Sequence, residues 1–172
     1  MSKIVVTYFE PFGGRNTNAS KEVVSLLDGF EKVELPVSWD KVPLFIDKIL
    51  FDKPDYLFMV GEAGSYKNNT IEKVAHNIAN GKDNLDVLIK NRPISKDGKD
   101  ILLTPFELFD LPYQVSDDAG KFLCNYSYYL ALSKADNCKV LFIHLPYIGE
   151  ENGNSLDNLK KDLLNIINSL SE

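Results

Sequence analysis

The sequence predicts a single α/β domain in which a largely parallel sheet is flanked by helices. Two observations lead to this class: short apolar runs alternate with amphipathic ones along the chain, and the apolar runs end at Pro or Gly signals. A length of 172 residues gives room for one sizeable core, and no linker, repeat or low-complexity tract interrupts it. We therefore expect residues 1–172 to form one domain.

The apolar runs are continuous, as expected of strands that are buried on both faces. In chain order they are residues 3–9, 33–37, 55–61, 113–116 and 139–146. Residues 80–103 are more polar and less regular, which is typical of a hairpin or a long loop. That segment is expected at one edge of the sheet.

The amphipathic runs predict four helices between the strands. They cover residues 19–27, 38–50, 120–134 and 155–170. Ser20 is the expected cap of the first helix, and Asp117 and Asp118 are the expected caps of the third. The last helix carries Leu and Ile at helical spacing, which favours a core face over a partner-binding face.

Charge and composition exclude several classes of function. The net charge is −6 and the acidic residues are scattered, so there is no basic stripe that would predict nucleic-acid binding. No apolar run approaches membrane-spanning length, and the N-terminal run is too short for a signal-peptide core. We therefore expect a cytoplasmic protein whose two cysteines are reduced thiols. The cysteines and histidines show no spacing typical of metal ligands.

Residues whose side chains could take part in catalysis follow several of the predicted strands. Open α/β sheets place their sites outside the carboxyl ends of strands, where Cys124 begins a helix and His144 ends an apolar run. A helix N-terminus and an imidazolium both stabilise a thiolate, and an imidazole can take the thiol proton and later protonate a leaving amine. Such a pair needs a third group to orient the ring, and Glu72 is the candidate. The alternative is a buried core cysteine, a structural histidine and a solvated glutamate.

The turn FEPFGG after the first strand is the remaining candidate for binding. Gly13 and Gly14 lack the GxGxxG pattern and the Lys-Ser/Thr pair of nucleotide loops, so phosphate binding is disfavoured. Phe9 and Phe12 are spaced to form the walls of a small apolar pocket. A plain hydrophobic staple is the open alternative.

Four segments resemble the signature blocks of pyrrolidone carboxyl peptidase, also called pyroglutamyl peptidase I, a cysteine peptidase family. They occur in the family's order and read FEPFGGRNTNAS, VGEAGSYKNNTIEKVAHN, SDDAGKFLCN and FIHLPY. The resemblance implies that Cys124 is the nucleophile, that His144 is the general base and acid, and that Glu72 orients the imidazole. It also implies a three-layer fold of the phosphorylase/hydrolase-like type, with a twisted mixed, mostly parallel sheet, and no metal or organic cofactor.

The activity implied by this resemblance is hydrolysis of the amide bond after an N-terminal pyroglutamate, through a thioester acyl-enzyme. The implied partners are N-terminally pyroglutamylated peptides, with assembly into a dimer or tetramer left open. Substrate contacts are expected from Phe9, Phe12, Asn18, Glu62, Phe122 and Leu123. The alternatives are a divergent member that acts on another small cyclic or neutral acyl amide, and a lactam-binding module without catalysis.

Four positions depart from the family pattern. Tyr8 and Ser65 stand where Gly is usual, Glu62 stands where Gln is usual, and Lys82 stands where Arg is expected. An Arg-to-Lys change removes the planar fork needed for bidentate contacts. These departures lie near the expected pocket, so they concern substrate preference more than chemistry.

Overall fold

The computed structural model describes residues 1–171, and its elements alternate as an α/β fold should. The strands are β1 (Ile4–Phe9), β2 (Glu31–Leu35), β3 (Tyr56–Glu62), β4 (Thr70–Glu72), β5 (Val74–His76), β6 (Ala79–Lys82), β7 (Leu88–Arg92), β8 (Ile101–Leu103), β9 (Gln114–Ser116) and β10 (Lys139–Leu145). The helices are α1 (Ala19–Ser25), α2 (Val42–Phe51), α3 (Leu123–Lys134), α4 (Leu156–Leu170) and a short 3-10 turn, Glu150–Asn152.

The main sheet has six strands in the order β2-β1-β3-β10-β4-β9. The first four are parallel to one another, whereas β4 is antiparallel to β10 and β9 is parallel to β4. The predicted mixed, mostly parallel sheet is therefore confirmed. Two antiparallel pairs lie outside this sheet, β5 with β8 and β6 with β7.

Two layers of helices bury the two faces of the sheet. Met59 and Phe142 lie on the face that packs against α2 and α3. Phe58 and Ile143, their neighbours in sequence, lie on the opposite face, against α1 and α4. This alternation follows from the period of two along a strand, and it gives the predicted three-layer architecture. The core-face prediction for the last helix is confirmed, since Leu159, Leu163, Ile166 and Ile167 are buried. No helix among the described residues is both long and apolar enough to cross a membrane.

The N-cap of the first helix lies two residues before the predicted one. Asn18 is the N-cap of α1, and its Oδ1 accepts the N–H of Ser20 at 2.9 Å. Ser20 lies inside the helix, where its Oγ accepts the N–H of Phe9 at 3.1 Å. Both residue types are good caps, and the tertiary contact to β1 decides which one serves.

The predicted caps of the third helix are wrong. Its N-cap is Phe122, which makes no side-chain capping bond, and the helix starts at Leu123 rather than near residue 120. Asp118 instead accepts the N–H of Gly120 at 2.9 Å in a separate turn. Gly120 has a φ of 82°, a left-handed conformation that a helix cannot include, so the chain turns there before the helix can begin.

The strand that carries Glu72 was not predicted. The run Thr70–Glu72 is only three residues long, too short for a periodicity signal, and it forms β4 by pairing with β10. The hairpin prediction for residues 80–103 is confirmed by the β6–β7 pair, although this pair stands apart from the main sheet. Ile101–Leu103 pairs with β5 instead.

The predicted direction of the strand before Cys124 is also wrong. We expected residues 113–116 to end on the same rim as the other strands, but β9 runs antiparallel to β10. The rule that sites lie outside the carboxyl ends of strands therefore does not account for the position of Cys124. The segment between β9 and α3 turns the chain back so that α3 begins over the sheet face.

Gly61 allows α3 to approach the sheet closely. It lies opposite His144 in the β3–β10 register. A Cβ at this position would lie 2.8 Å from Cys124 Sγ and 2.8 Å from Phe142 Cζ, closer than such atoms can pack. The absence of a side chain here is thus a condition for the position of the thiol.

We predict that Gly61→Ala destabilises the protein by about 1–3 kcal/mol, because the added methyl overpacks the contact between β3 and α3. Urea denaturation measures this change. Gly149→Ala is the matched control, since a Cβ there meets its nearest atom at 3.5 Å and should change stability by less than about 0.5 kcal/mol. Equal effects of the two substitutions would contradict the close approach.

Candidate active site

Cys124 is the second residue of α3, and its thiol points at the sheet beneath the helix N-terminus. The side chain is 9% exposed, and its Sγ lies against Gly61. The N–H groups of Leu123 and Cys124 belong to the first helical turn, where no carbonyl of the same helix can accept them. They are available to an anion at this helix end, and the helix dipole favours the same charge.

His144 and Glu72 meet across the β4–β10 pair. In the antiparallel register Phe142 lies opposite Glu72, and His144 lies opposite Thr70. Residues opposite each other share a face, as do residues two apart, so His144 and Glu72 are diagonal neighbours on the face that α3 covers. The His144 Nδ1–H donates to Glu72 Oε1 at 2.7 Å.

The Glu72 carboxylate is fully buried, with 0% exposure. Its Oε1 also accepts the hydroxyl of Tyr66 at 2.9 Å. Within residues 1–171 the second oxygen, Oε2, has no hydrogen-bond partner. Tyr128 donates to the backbone carbonyl of Glu72 at 2.9 Å and fixes the strand itself. Glu72 is therefore oriented through one oxygen by two donors.

The surroundings of His144 favour its protonated form. Burial lowers the pKa of the imidazole, but the adjacent Cys124 and Glu72 outweigh this effect and raise the pKa to about 9. Opposite charges on both sides of the ring explain the direction. The same three side chains that sequence reasoning singled out therefore lie together as a thiol, an imidazole and a buried carboxylate.

A cavity of about 430 Å³ opens over Cys124 and His144. Three of the residues expected to contact substrate line it: Phe12, Glu62 and Phe122. Ala119, Gly120, Tyr66 and Ser65 complete much of the remaining wall. The cavity thus joins the reactive side chains to a partly apolar space.

The side chains of the other three residues expected at the substrate do not line the cavity. Phe9 and Leu123 are each 1% exposed. Both lie in the core between the sheet and the layer of α2 and α3. Asn18 caps α1 and donates to the carbonyl of Glu10 at 3.3 Å. These three residues shape the elements around the cavity rather than its surface.

An aromatic cluster supports one wall of the cavity. Phe122 lies 5.7 Å from Phe12 and 5.4 Å from Trp39, measured between ring centroids. Trp39 also packs edge-on against Tyr126 at 5.1 Å, and its indole N–H donates to the carbonyl of Val87 at 3.1 Å. Because each ring is held by another, Phe12 and Phe122 present a fixed apolar surface.

Glu62 is not a free carboxylate in the cavity. Its Oε1 pairs with the Arg15 guanidinium, and its Oε2 accepts the N–H of Ala19 at 2.7 Å. Burial raises the pKa of Glu62, while the Ala19 N–H and Arg15 oppose that rise. Arg15 also lies over the ring of Tyr147, 4.1 Å from its centroid. The departure to Glu at this position is thus matched by a cation on the neighbouring loop.

The other departures have separate surroundings. Ser65 lines the cavity. Tyr8 packs in the cluster on the opposite face of the sheet. Lys82 is exposed and forms a 2.7 Å ion pair with Asp86.

Tyr66 is the neighbour of the reactive group that sequence reasoning missed. It lies in the loop between β3 and β4, and no periodicity or cap signal marks it. Its ring centroid is 5.8 Å from that of His144. The sequence places Tyr66 six residues before Glu72. This spacing indicates a contact between the two residues only once the intervening loop is known to lead into β4.

Known proteins resemble this chain in both sequence and fold. A family model described as pyroglutamyl peptidase matches residues 2–162. The pyrrolidone-carboxylate peptidase of Thermosipho africanus is 32% identical, with 98% of this chain and 93% of the relative covered. That of Lactobacillus johnsonii is 34% identical, with 87% and 80% covered. The crystal structure of Bacillus amyloliquefaciens pyroglutamyl peptidase I has a TM-score of 0.84 at 26% identity, covering 95% of this chain and 93% of that one.

We predict that iodoacetamide labels Cys124 much faster than Cys138 below about pH 7. Burial and the nearby Asp55 raise the pKa of Cys138 to about 11, so its thiolate is scarce at this pH. Cys124 lies at a helix N-terminus and lines the cavity beside the imidazole of His144. Peptide mapping by mass spectrometry measures both rates.

A Cys138→Ala variant is the control for this labelling experiment and should take up label at the wild-type rate. Equal labelling of the two cysteines, or faster labelling of Cys138, would contradict the electrostatic assignment.

Proposed function

This chain belongs to the pyroglutamyl peptidase family of cysteine peptidases, and we propose that it hydrolyses the amide bond after an N-terminal pyroglutamate with Cys124 as nucleophile. The observation that carries the proposal is the contiguity of a thiol, an imidazole and a buried carboxylate at one cavity. His144 links the other two groups, since it lines the cavity with Cys124 and is hydrogen-bonded to Glu72 through Nδ1. Residues 1–172 act in this proposal as one pyroglutamyl-peptidase-like domain.

In the acylation step the Cys124 thiolate attacks the carbonyl carbon of the pyroglutamyl residue. The carbonyl oxygen becomes an oxyanion, which accepts hydrogen bonds from the N–H groups of Leu123 and Cys124. Collapse of this intermediate breaks the C–N bond, and the His144 imidazolium gives its proton to the departing amine. The products are a thioester on Cys124 and the shortened peptide.

In the deacylation step water replaces the amine. Neutral His144 takes a proton from the water as the water oxygen attacks the thioester carbonyl. The same helix N-terminus accepts the second oxyanion, and the C–S bond then breaks to release pyroglutamate and restore the thiolate–imidazolium pair. Glu72 holds the ring in one orientation through both steps, because its Oε1 accepts from Nδ1 and leaves Nε2 for proton transfer.

The cavity suits a flat, uncharged lactam ring. Pyroglutamate has no free ammonium group, so an acidic clamp for an amine would serve no purpose. The carboxylate of Glu62 is already engaged by Arg15 and Ala19, and Phe12 and Phe122 supply apolar contact. Backbone groups of the lining segment are the natural partners of the lactam N–H and C=O.

Two alternatives remain as outcomes of the test. A lactam-binding module would bind a pyroglutamyl peptide without cleaving it, and it would have no use for a buried imidazole–carboxylate pair beside a thiol. A divergent amidohydrolase would cleave another small cyclic or neutral acyl amide faster than the pyroglutamyl amide. Comparing the release of a fluorogenic amine from pyroglutamyl and prolyl amides separates these cases.

We predict that Cys124→Ala and His144→Ala each lower kcat for a fluorogenic pyroglutamyl amide by at least about a thousandfold. The double variant should be little worse than either single variant, because the two groups act as a unit. Glu72→Gln should lose less, since this residue orients the ring and does not react.

The matched control for these variants is Cys138→Ala, which removes the other thiol and should keep wild-type turnover. Substantial turnover in Cys124→Ala would overturn the assignment of the nucleophile.

The pKa of His144 predicts the basic limb of the activity profile. Protonated His144 supplies the proton for the leaving amine, and its pKa is raised from 6.5 to about 9. We therefore expect kcat/KM to hold through neutral pH and to fall as the pH passes about 9. The stability that this ionised form contributes follows the same sign: it is fully present below pH 6.5 and is lost as the pH rises through about 9. A basic limb near pH 6.5 would contradict this assignment.

A further inference from the structure

We infer that Tyr66 is a positioning residue for the proposed reaction, which holds the Glu72 carboxylate against His144 at the end of a directed chain of hydrogen bonds. The inference rests on the proposed function for its role in turnover, but its geometry stands independently. Tyr66 Oη lies 2.9 Å from Glu72 Oε1, 2.9 Å from Ser116 Oγ and 3.2 Å from the carbonyl of Asp118.

The phenol has one proton to donate, and three acceptor oxygens lie within hydrogen-bonding distance of it. A hydrogen bond to a charged acceptor is stronger than one to a neutral acceptor, so the phenol donates to the Glu72 carboxylate. The hydroxyl of Ser116 has two acceptors, the phenol oxygen at 2.9 Å and the carbonyl of Asp118 at 3.3 Å, and it donates to the nearer one. Ser116 Oγ also accepts the N–H of Asp118 at 3.0 Å. Every donor in this chain therefore points towards Glu72, and each bond polarises the next.

Tyr66 is also a donor to this carboxylate that takes no part in the chemistry. Within residues 1–171, Glu72 Oε1 receives bonds only from His144 and Tyr66, and Oε2 receives none. His144 must exchange its Nε2 proton during turnover, whereas the phenol remains a donor throughout. Burial raises the pKa of Tyr66; the bond from Ser116 opposes this rise, and the charge on Glu72 adds to it, so the phenol stays protonated at neutral pH.

The chain connects the segments that carry the reactive groups. Glu72 lies on β4, and Ser116 lies on β9, whose following loop leads into the helix of Cys124. The phenol therefore joins the strand of the orienting carboxylate to the segment before the nucleophile. Its ring lines the cavity beside His144, so the hydroxyl and the ring serve distinct purposes.

Tyr66→Phe separates these two purposes, because it keeps the ring and removes only the hydroxyl. We expect kcat for a fluorogenic pyroglutamyl amide to fall about tenfold, which corresponds to the loss of one charge-assisted hydrogen bond in the transition state. KM should stay within about twofold of the wild-type value, because the ring, which is the part of Tyr66 that lines the cavity, is kept.

The pH dependence of Cys124 alkylation by iodoacetamide is the second readout. Without the phenol, Glu72 Oε1 is held by His144 alone. The carboxylate is then positioned less firmly against Nδ1, so the imidazolium beside the thiol loses part of its support. The pH of half-maximal labelling should therefore move upward in Tyr66→Phe. Besides Tyr66, the titratable groups that face His144 are Cys124 from α3 and Glu72 from β4. The other charged groups along the cavity are Glu62, Asp118 and Lys121, and the substitution leaves them unchanged.

Tyr129→Phe is the matched control. It also removes a phenol hydrogen bond, a 2.7 Å bond to the carbonyl of Lys99, from a buried ring that does not line the cavity. Both variants should lose some thermal stability, but Tyr129→Phe should keep wild-type kcat and the wild-type labelling midpoint. Ser116→Ala tests the chain with Tyr66 intact: its effect should be smaller, in the same direction, and absent when Tyr66 is already Phe.

Several results would overturn the inference. A Tyr66→Phe enzyme with wild-type kcat and labelling midpoint would reduce Tyr66 to a wall of the cavity. A rise in KM alone would make it a substrate contact, and a midpoint that moves to lower pH would contradict the positioning role. If the wild-type protein cleaves no pyroglutamyl amide, the proposed function fails, while the labelling midpoint still decides the role of Tyr66.

Discussion

The ionised carboxylate of Glu72 is buried with 0% exposure beside the main sheet, and the rest of the site depends on how its charge is satisfied. Removing such a group from water is expensive, so a buried carboxylate must be paired and hydrogen-bonded. Here an imidazole and a phenol converge on one oxygen. Burial of this kind is weak evidence for a gain in stability, because an apolar pair of similar size often packs as well. Its value lies in fixing the ring of His144 beside a thiol.

The sheet topology is what makes this burial feasible. A strand antiparallel to β10 brings Glu72 to a diagonal position on the same face as His144, and α3 covers that face. Gly61 on the other side of β10 has no side chain, so the thiol of Cys124 can sit directly beside the imidazole. Three neighbouring strands and one helix N-terminus thus each supply one part of the arrangement. Water exclusion strengthens the electrostatic contacts among these groups.

The rim of the cavity differs from the family pattern without leaving an unmatched charge. Glu62 stands where the resemblance implies a neutral Gln, and Arg15 on the loop after β1 pairs with it. The second oxygen of Glu62 accepts from Ala19 at the start of α1. The carboxylate therefore ties the end of β3 to the neighbouring helix, and it does not present free charge to a neutral ligand. A buried carboxylate would be unfavourable without partners, and here Glu62 connects β3 with the start of α1.

The α/β class and the places of the long strands and helices followed from the sequence alone, because burial on both faces or on one stripe leaves a readable period. Residue types alone left the roles of Cys124, Glu72 and His144 open, and the resemblance of the surrounding segments to a known family singled these residues out. The three-residue strand β4 was not predicted, because three residues carry no period and the strand exists only by pairing with β10. The predicted caps of α3 were wrong because Gly120 turns the chain before the helix and Asp118 accepts a hydrogen bond within that turn. Phe9, Asn18 and Leu123 lie in the right segments, but side-chain direction depends on the packing of whole layers. The same holds for Tyr66 and for the Arg15–Glu62 pair, whose partners are distant in sequence and meet only when the sheet has formed.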